Sequence, residues 1–344
     1  MKEISFKNNC LNTFRLLAAL QVLQGHVIAH LNIEKEPIIG DFISFFSGVP
    51  IFFALSGFLI WQSIGRSNSY GEYAYKRFWR IFPELWVAVA VEVVVLLILY
   101  KQSINWPLLG LFTIGQATVF QFWTPDFIRG YGCGTPNGAL WTITVLIQFY
   151  FCVFYIYQFL HKKRLVYWLG WIFFSVIIGC LTPTIMRSMP EAIGKIYAIT
   201  IFPYLWMFLF ASFVSEYKDR FLSFIKEYWY VFIGLVLLKR LWLHWDISAM
   251  YSLFDTILLT CGLIGFSYQF PKLNIRTDIS YGVYIYHMTV VNALIVLGFK
   301  GQSWTYWLVI VITCLFAWIS AITIGKMSAK RKHKDSVEKI CYVK

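Results

Sequence analysis

The chain has 344 residues, 59% of them hydrophobic and 20% aromatic, with only 14% charged. That is more apolar surface than a soluble domain of this size buries, so an all-α, polytopic integral membrane protein is expected. The net charge of +13 is spread over many short loops and not gathered on one module, which argues against nucleic acid as a partner and makes the charge an orientation signal.

A crossing of a hydrocarbon core about 30 Å thick takes about 20 residues. Apolar stretches of suitable length are expected as spans at 11–31, 42–64, 81–100, 138–160, 165–182, 197–214, 228–243, 250–270, 280–299 and 304–325. That makes about ten transmembrane helices. The apolar run from Trp106 to Phe120 is short and holds Gly110 and Gly115, which suits a re-entrant or interfacial segment. With the N-terminus in the cytoplasm, this count places Arg66, Lys76, Arg77 and Arg80, the Lys162 to Arg164 cluster, Lys218, Arg220, Lys226, Lys272, Arg276 and the tail from Lys326 on the cytoplasmic side, as the positive-inside rule requires. Residues 1–325 then form the membrane domain. Residues 326–344 form a basic cytoplasmic tail that faces anionic lipid.

The first span is too long, and too polar inside, for a cleavable signal. It carries Arg15, His26 and His30. At about 100° per residue, the eleven steps from Arg15 to His26 return to within roughly 20° of the same direction, about 16 Å along the axis. Asn12, Ala19, Val22 and His30 share that side, as on the wall of a polar passage. Ionisable groups inside a span are costly and commonly functional. A packing histidine and a snorkelling arginine would give the same pattern.

In the second span, Ser56 and Gly57 permit close helix contact. Arg77 and Arg80, three residues apart just before the third span, are neighbours on a helix. They suit either a bidentate phosphate clamp or a pair of topology anchors. A glycine-rich stretch, Arg129-Gly-Tyr-Gly-Cys-Gly-Thr-Pro-Asn-Gly-Ala-Leu-Trp-Thr142, has neither Walker nor dinucleotide spacing and is expected to be a mobile outer flap over a substrate. Near the end of the chain, Ser280-Tyr-Gly-Val-Tyr-Ile-Tyr-His287 sets a second histidine inside a span. The seven cysteines form no Cys-x-x-Cys pair, so neither a disulfide framework nor a metal site is indicated.

Four motifs in order resemble the membrane acyltransferase family 3. They are Arg15 and His26 with ten residues between them, Phe52-Phe-Ala-Leu-Ser-Gly-Phe58, Arg77 to Arg80 running into Ile81-Phe-Pro83, and Ser280-Tyr-Gly-Val-Tyr284 leading to His287. Asn137-Gly-Ala-Leu-Trp-Thr142 and Gln148-Phe-Tyr150 agree as well, and the similarity covers about residues 10–325. The resemblance implies transfer of an acyl group, mostly acetyl, from acetyl-CoA to a hydroxyl of a bacterial surface glycan, an O-antigen, an exopolysaccharide or a lipid-linked sugar, at the inner membrane. It makes His26 the general base with Arg15 beside it, and Arg77, Arg80 and Arg15 the donor-binding residues. His287, Trp141, Asn137 and Tyr284 become candidates for the acceptor site, although His287 as a helix bridge and Trp141 and Tyr284 as packing residues would read alike. No protein partner and no metal is implied.

Two positions depart from the family pattern. Leu146 stands where the family has a glutamate, and Asn12 where an acidic residue precedes the first arginine. Glu84, Glu92 or Asp255 would replace them only if the fold brought one close. The rival class is a transporter or flippase of a glycan intermediate, with Arg15, His26 and His287 lining its route; it would show broken helices in corresponding halves of the chain.

Overall fold

The computed structural model describes residues 8–243 and 250–327. Among these residues there is no strand. The helices in chain order are α1 (Leu11–Leu31), α2 (Ile39–Ser44), α3 (Gly48–Gly65), α4 (Tyr70–Leu99), α5 (Trp106–Ala117), α6 (Trp141–Leu160), α7 (Leu165–Ser188), α8 (Glu191–Ala198), α9 (Leu205–Glu216), α10 (Lys218–Glu227), α11 (Trp229–Leu238), α12 (Leu253–Gln269), α13 (Ser280–Val296) and α14 (Thr305–Ser320). The expected tail lies outside the described residues from 328 onward.

Six of these segments are long and apolar enough to cross a membrane, and the number is eight if α8 with α9 and α10 with α11 each count as one span bent by 49° and 64°. The expected ten is therefore not reached by length and composition. The other two expected spans fall on α12 and α13, apolar helices of 17 residues each. Both bent pairs are adjacent in the chain, unlike the arrangement in corresponding halves that a transporter built of repeats would show. α5 has 12 residues, about 18 Å of helix, too short to cross. Its end turns back through Thr118 and Phe120, whose amides both reach Gly115 O, and Trp86 on α4 donates to Ala117 O at 2.9 Å.

The expected third span begins earlier than its apolar run. Ser69 caps α4 by accepting from Glu72 N, and Glu72 pairs with Lys76 one turn on. Arg77 and Arg80 thus stand on the same 30-residue helix as the span. The buried stripe of that helix runs through Ile81, Glu84, Leu85, Ala88, Val89, Glu92 and Leu96. Trp86, Val87, Val94, Leu97 and Ile98 are exposed on its other side, as a helix bordered by lipid requires.

The chain forms two compact units. The first comprises Met1–Ala18, Phe45–Asn68 and Val145–Arg276. In it α3 and α9 meet almost backbone to backbone: a Cβ at Gly57 would lie 2.3 Å from Phe208 O, and Ser212 and Ser215 donate their hydroxyls to Gly57 O and Phe58 O. Phe149 and Phe208 stack at 4.4 Å nearby. Glu216 gathers the Trp61 indole N–H, His161 Nδ1 and the Lys162 amide. Asp255 takes Lys239 and Arg240, both at 2.7 Å.

The second unit comprises Ala19–Ser44, Ser69–Thr144 and Thr277–Lys344. Gly282 on α13 sits against Ala317 on α14, where a Cβ would lie 2.6 Å from the Ala317 Cα. Gln24 on α1 donates to Gly40 O and Ser44 Oγ and accepts from Tyr306 OH.

Gly57→Ala is expected to push α3 from α9 and to destabilise the protein by about 1–3 kcal/mol, read as a lower thermal midpoint in detergent. Gly110→Ala, in helix α5 with nothing within 4 Å of the new methyl, should leave the midpoint unchanged or slightly raised.

Candidate functional site

α13 is buried along nearly its whole length, Ser280 to Asn292 without a break. Its polar side chains therefore need partners inside the protein. At its start, Asp278 accepts from Ser280 N at 3.1 Å and from Ser280 Oγ at 2.6 Å, satisfying a first-turn amide. Arg80 of α4 donates to the other oxygen of Asp278 at 2.8 Å and lies over the Tyr281 ring, whose hydroxyl reaches Ile81 O at 3.1 Å. The arginine expected to clamp donor phosphate thus also ties α4 to the start of α13.

Further along, the glycine-rich loop runs beside α13. Asn292 accepts from Cys133 N at 2.7 Å and donates to Thr135 O and Pro136 O. Asn137 donates to Ile285 O at 2.8 Å, and Tyr284 OH donates to Ala139 O at 2.8 Å while meeting Thr142 Oγ1 at 2.6 Å. Gly132 permits this closeness. It has φ +56°, and a Cβ there would meet Asn292 Oδ1 at 1.9 Å. The expected mobile flap is corrected by these contacts: the loop is a wall bound to α13, held by Asn292 and Tyr284 of the buried helix and by Asn137 of the loop.

His26 and His287 meet on the other side of α13. His26 Nδ1 is 2.7 Å from His287 Nε2, and the rings stack at 5.0 Å with 12° between planes. His287 is fully buried and its Nδ1 is 3.2 Å from Val283 O. A carbonyl only accepts, so that Nδ1 carries the hydrogen and the Nε2 of neutral His287 is an acceptor. His26 Nδ1 therefore donates, and the lone pair of neutral His26 is on Nε2. His287 thus fixes the tautomer and orientation of the His26 ring. The ring of His30 lies 5.7 Å from that of His26, and the ring of Tyr284 6.0 Å from that of His287.

The second unit thus brings together His26, His287, Tyr284 and the loop with Asn137 and Trp141, the first residue of α6. Arg80 stands at the Asp278 end of α13, about 13 Å along the helix from His287. Arg77 is half-buried with its guanidinium 5.8 Å from the Tyr73 ring centre, and Arg15 is half-buried on α1. Of the carboxylates considered as replacements, Asp255 is committed to two cations. Glu84 is buried on α4, where Gly325 approaches it. Glu92 lies alongside the Asn137 amide, hence towards the Ile285 and Thr289 face, roughly 160° around α13 from His287. None replaces a carboxylate at the histidines. Burial pushes the Tyr131 phenol above its usual range, and the neighbouring Glu92 adds to that.

Asp278, Thr289 and Asn292 escaped the reading of the sequence, and Thr142 entered it only as the end of a motif. For Thr289 and Asn292 a signal existed: both interrupt an apolar run two and five residues after His287.

The family model described as "Acyltransferase domain" matches residues 8–325. "Nodulation protein 10" of Rhizobium leguminosarum bv. viciae is 29% identical over 329 residues, covering 87% of each chain. The "O-acetyl transferase" of Shigella phage Sf6 is 29% identical over 300 residues, 84% of this chain and 86% of the relative. No solved structure matches the chain. Since the matched region contains every helix described above and both stacked histidines, the chain belongs to the acyltransferase family 3 and is a membrane acyltransferase enzyme.

Proposed function

We propose that the protein transfers an acetyl group from acetyl-CoA to a hydroxyl of a bacterial surface glycan or its lipid-linked precursor; the name of the phage relative gives O-acetyl transfer for that protein. The observation that carries this reading is the His26 to His287 contact at 2.7 Å. It leaves His26 Nε2 as a base whose tautomer is set by its neighbour. The acceptor oxygen attacks the thioester carbonyl as its proton passes to His26 Nε2. The C–S bond then breaks, and the departing thiolate takes the proton back from the imidazolium. Because His26 keeps its Nδ1 hydrogen bond to His287 throughout, the pair needs no rearrangement during the step.

Arg77 and Arg80 would meet the phosphates of the donor. Arg80 keeps donors to spare while it holds Asp278, because a guanidinium has five N–H groups. The acceptor would approach on the Tyr284 and Trp141 side of the histidines, with Asn137 holding the loop. We place the enzyme in the inner membrane with both termini cytoplasmic and with ten crossings, α12 and α13 included. Basic residues clustered at one set of loops support that orientation.

Glycan O-acetylation should be restored in cells by the wild type and lost by His26→Ala at matched membrane levels; transfer falls by about 10²–10⁴-fold, the usual worth of a general base. Unimpaired transfer by His26→Ala would overturn the assignment. His287→Phe, which keeps a buried ring but removes the acceptor of the His26 hydrogen bond, should lower kcat by about tenfold or more while both KM values stay near wild type. Arg77→Ala should instead raise the KM for acetyl-CoA by about tenfold, consistent with loss of a charged hydrogen bond, with kcat less affected.

A further inference from the structure

A second polar cluster in the same unit lies on the face of α13 away from the histidines and shares with the site only the loop residue Asn137. Glu92 on α4 is 2% exposed, and neither carboxylate oxygen meets a hydrogen-bond donor in normal geometry among the described residues. The Asn137 amide lies alongside it. That amide spends its Nδ2 on Ile285 O at 2.8 Å, and its Oδ1 is buried without a partner among the described residues. On α13, Thr289 is 3% exposed and its hydroxyl is likewise unmatched. A helical threonine commonly turns its hydroxyl back to the carbonyl four residues earlier. Here that carbonyl is Ile285 O, which Asn137 occupies. Three elements therefore direct unmatched oxygens at the surroundings of a single carbonyl.

Each such atom in an apolar interior is costly, and an ionised carboxylate most of all. A proton on Glu92 would supply one donor, enough for Asn137 Oδ1, and would leave Thr289 Oγ1 unmatched. A sugar hydroxyl would suit the acceptors, but the cluster is on the face of α13 turned away from the histidines. A hard cation suits every atom present, because carboxylate, amide and hydroxyl oxygens are its natural ligands. One carboxylate balances one positive charge, whereas a divalent ion would leave net charge in the apolar interior.

We propose that Glu92, Asn137 and Thr289 bind a monovalent cation, sodium by its hardness and size. The cation neutralises Glu92 and joins α4, the glycine-rich loop and α13. It is a structural site, and it stands apart from the acyl transfer proposed above.

The test is thermal unfolding of the purified protein in detergent, in sodium chloride and in choline chloride at equal ionic strength, with radiosodium binding on the same samples. Sodium should raise the wild-type midpoint in a saturable manner, as binding to the folded state requires. Glu92→Gln, a neutral isostere, should lose both the rise and the bound radiosodium. Thr289→Val, which keeps the shape, should raise the half-saturating sodium concentration by about tenfold, the effect of one lost ligand. Equal wild-type midpoints in sodium and choline would overturn the site and leave a protonated Glu92. A sodium effect that persists unchanged in Glu92→Gln would overturn it too, by placing the ion elsewhere.

Discussion

α13 is enclosed on all sides yet carries Tyr284, His287, Thr289 and Asn292, and where water is scarce each of these groups has to find a protein partner or a ligand. Much of the second unit follows from that requirement. The loop between α5 and α6 is drawn along the helix by Asn292, by the Ile285 carbonyl and by Tyr284. His287 turns one nitrogen to Val283 O and the other to His26. The same constraint that orders the fold thus also determines which nitrogen of neutral His26 carries the lone pair.

The first unit treats its carboxylates differently. Glu216 is met by an indole N–H, a histidine and a main-chain amide, and Asp255 by a lysine and an arginine. These groups join helix ends and leave few acceptors to spare. Between them, α3 and α9 approach over Gly57 as closely as backbones allow, a small-residue contact of the kind that holds helices together without help from the hydrophobic effect. Glu92 in the second unit stands out against this background, as a buried carboxylate whose oxygens the described residues do not satisfy.

The resemblance to the family leads to an expectation of carboxylates near the first arginine and after the tryptophan, where this chain has Asn12 and Leu146. The structure does not restore them at the histidines. His287 supplies the orienting acceptor, a neutral group that avoids placing a charge beside His26. A dyad of two imidazoles can pass through the imidazolium state of one ring with its internal hydrogen bond intact, which suits a proton that is taken and returned within one acyl transfer.

The helical class, the histidines within apolar helices and the placing of two neighbouring arginines on one helix were legible in the sequence, because hydropathy and the 3.6-residue period are local properties of a chain. The number of crossings was less so: α8 with α9 and α10 with α11 are broken within apolar runs, and composition does not register a bend. Partner choice was not legible at all. Whether Asn137 faces a substrate or a helix carbonyl, whether the glycines make a flap or a wall, and which of Glu84, Glu92 and Asp255 is left unsatisfied depend on which helices pack together. That is decided by close contacts between residues more than a hundred positions apart, such as Asn137 with Ile285 and His26 with His287, and only the tertiary structure contains them.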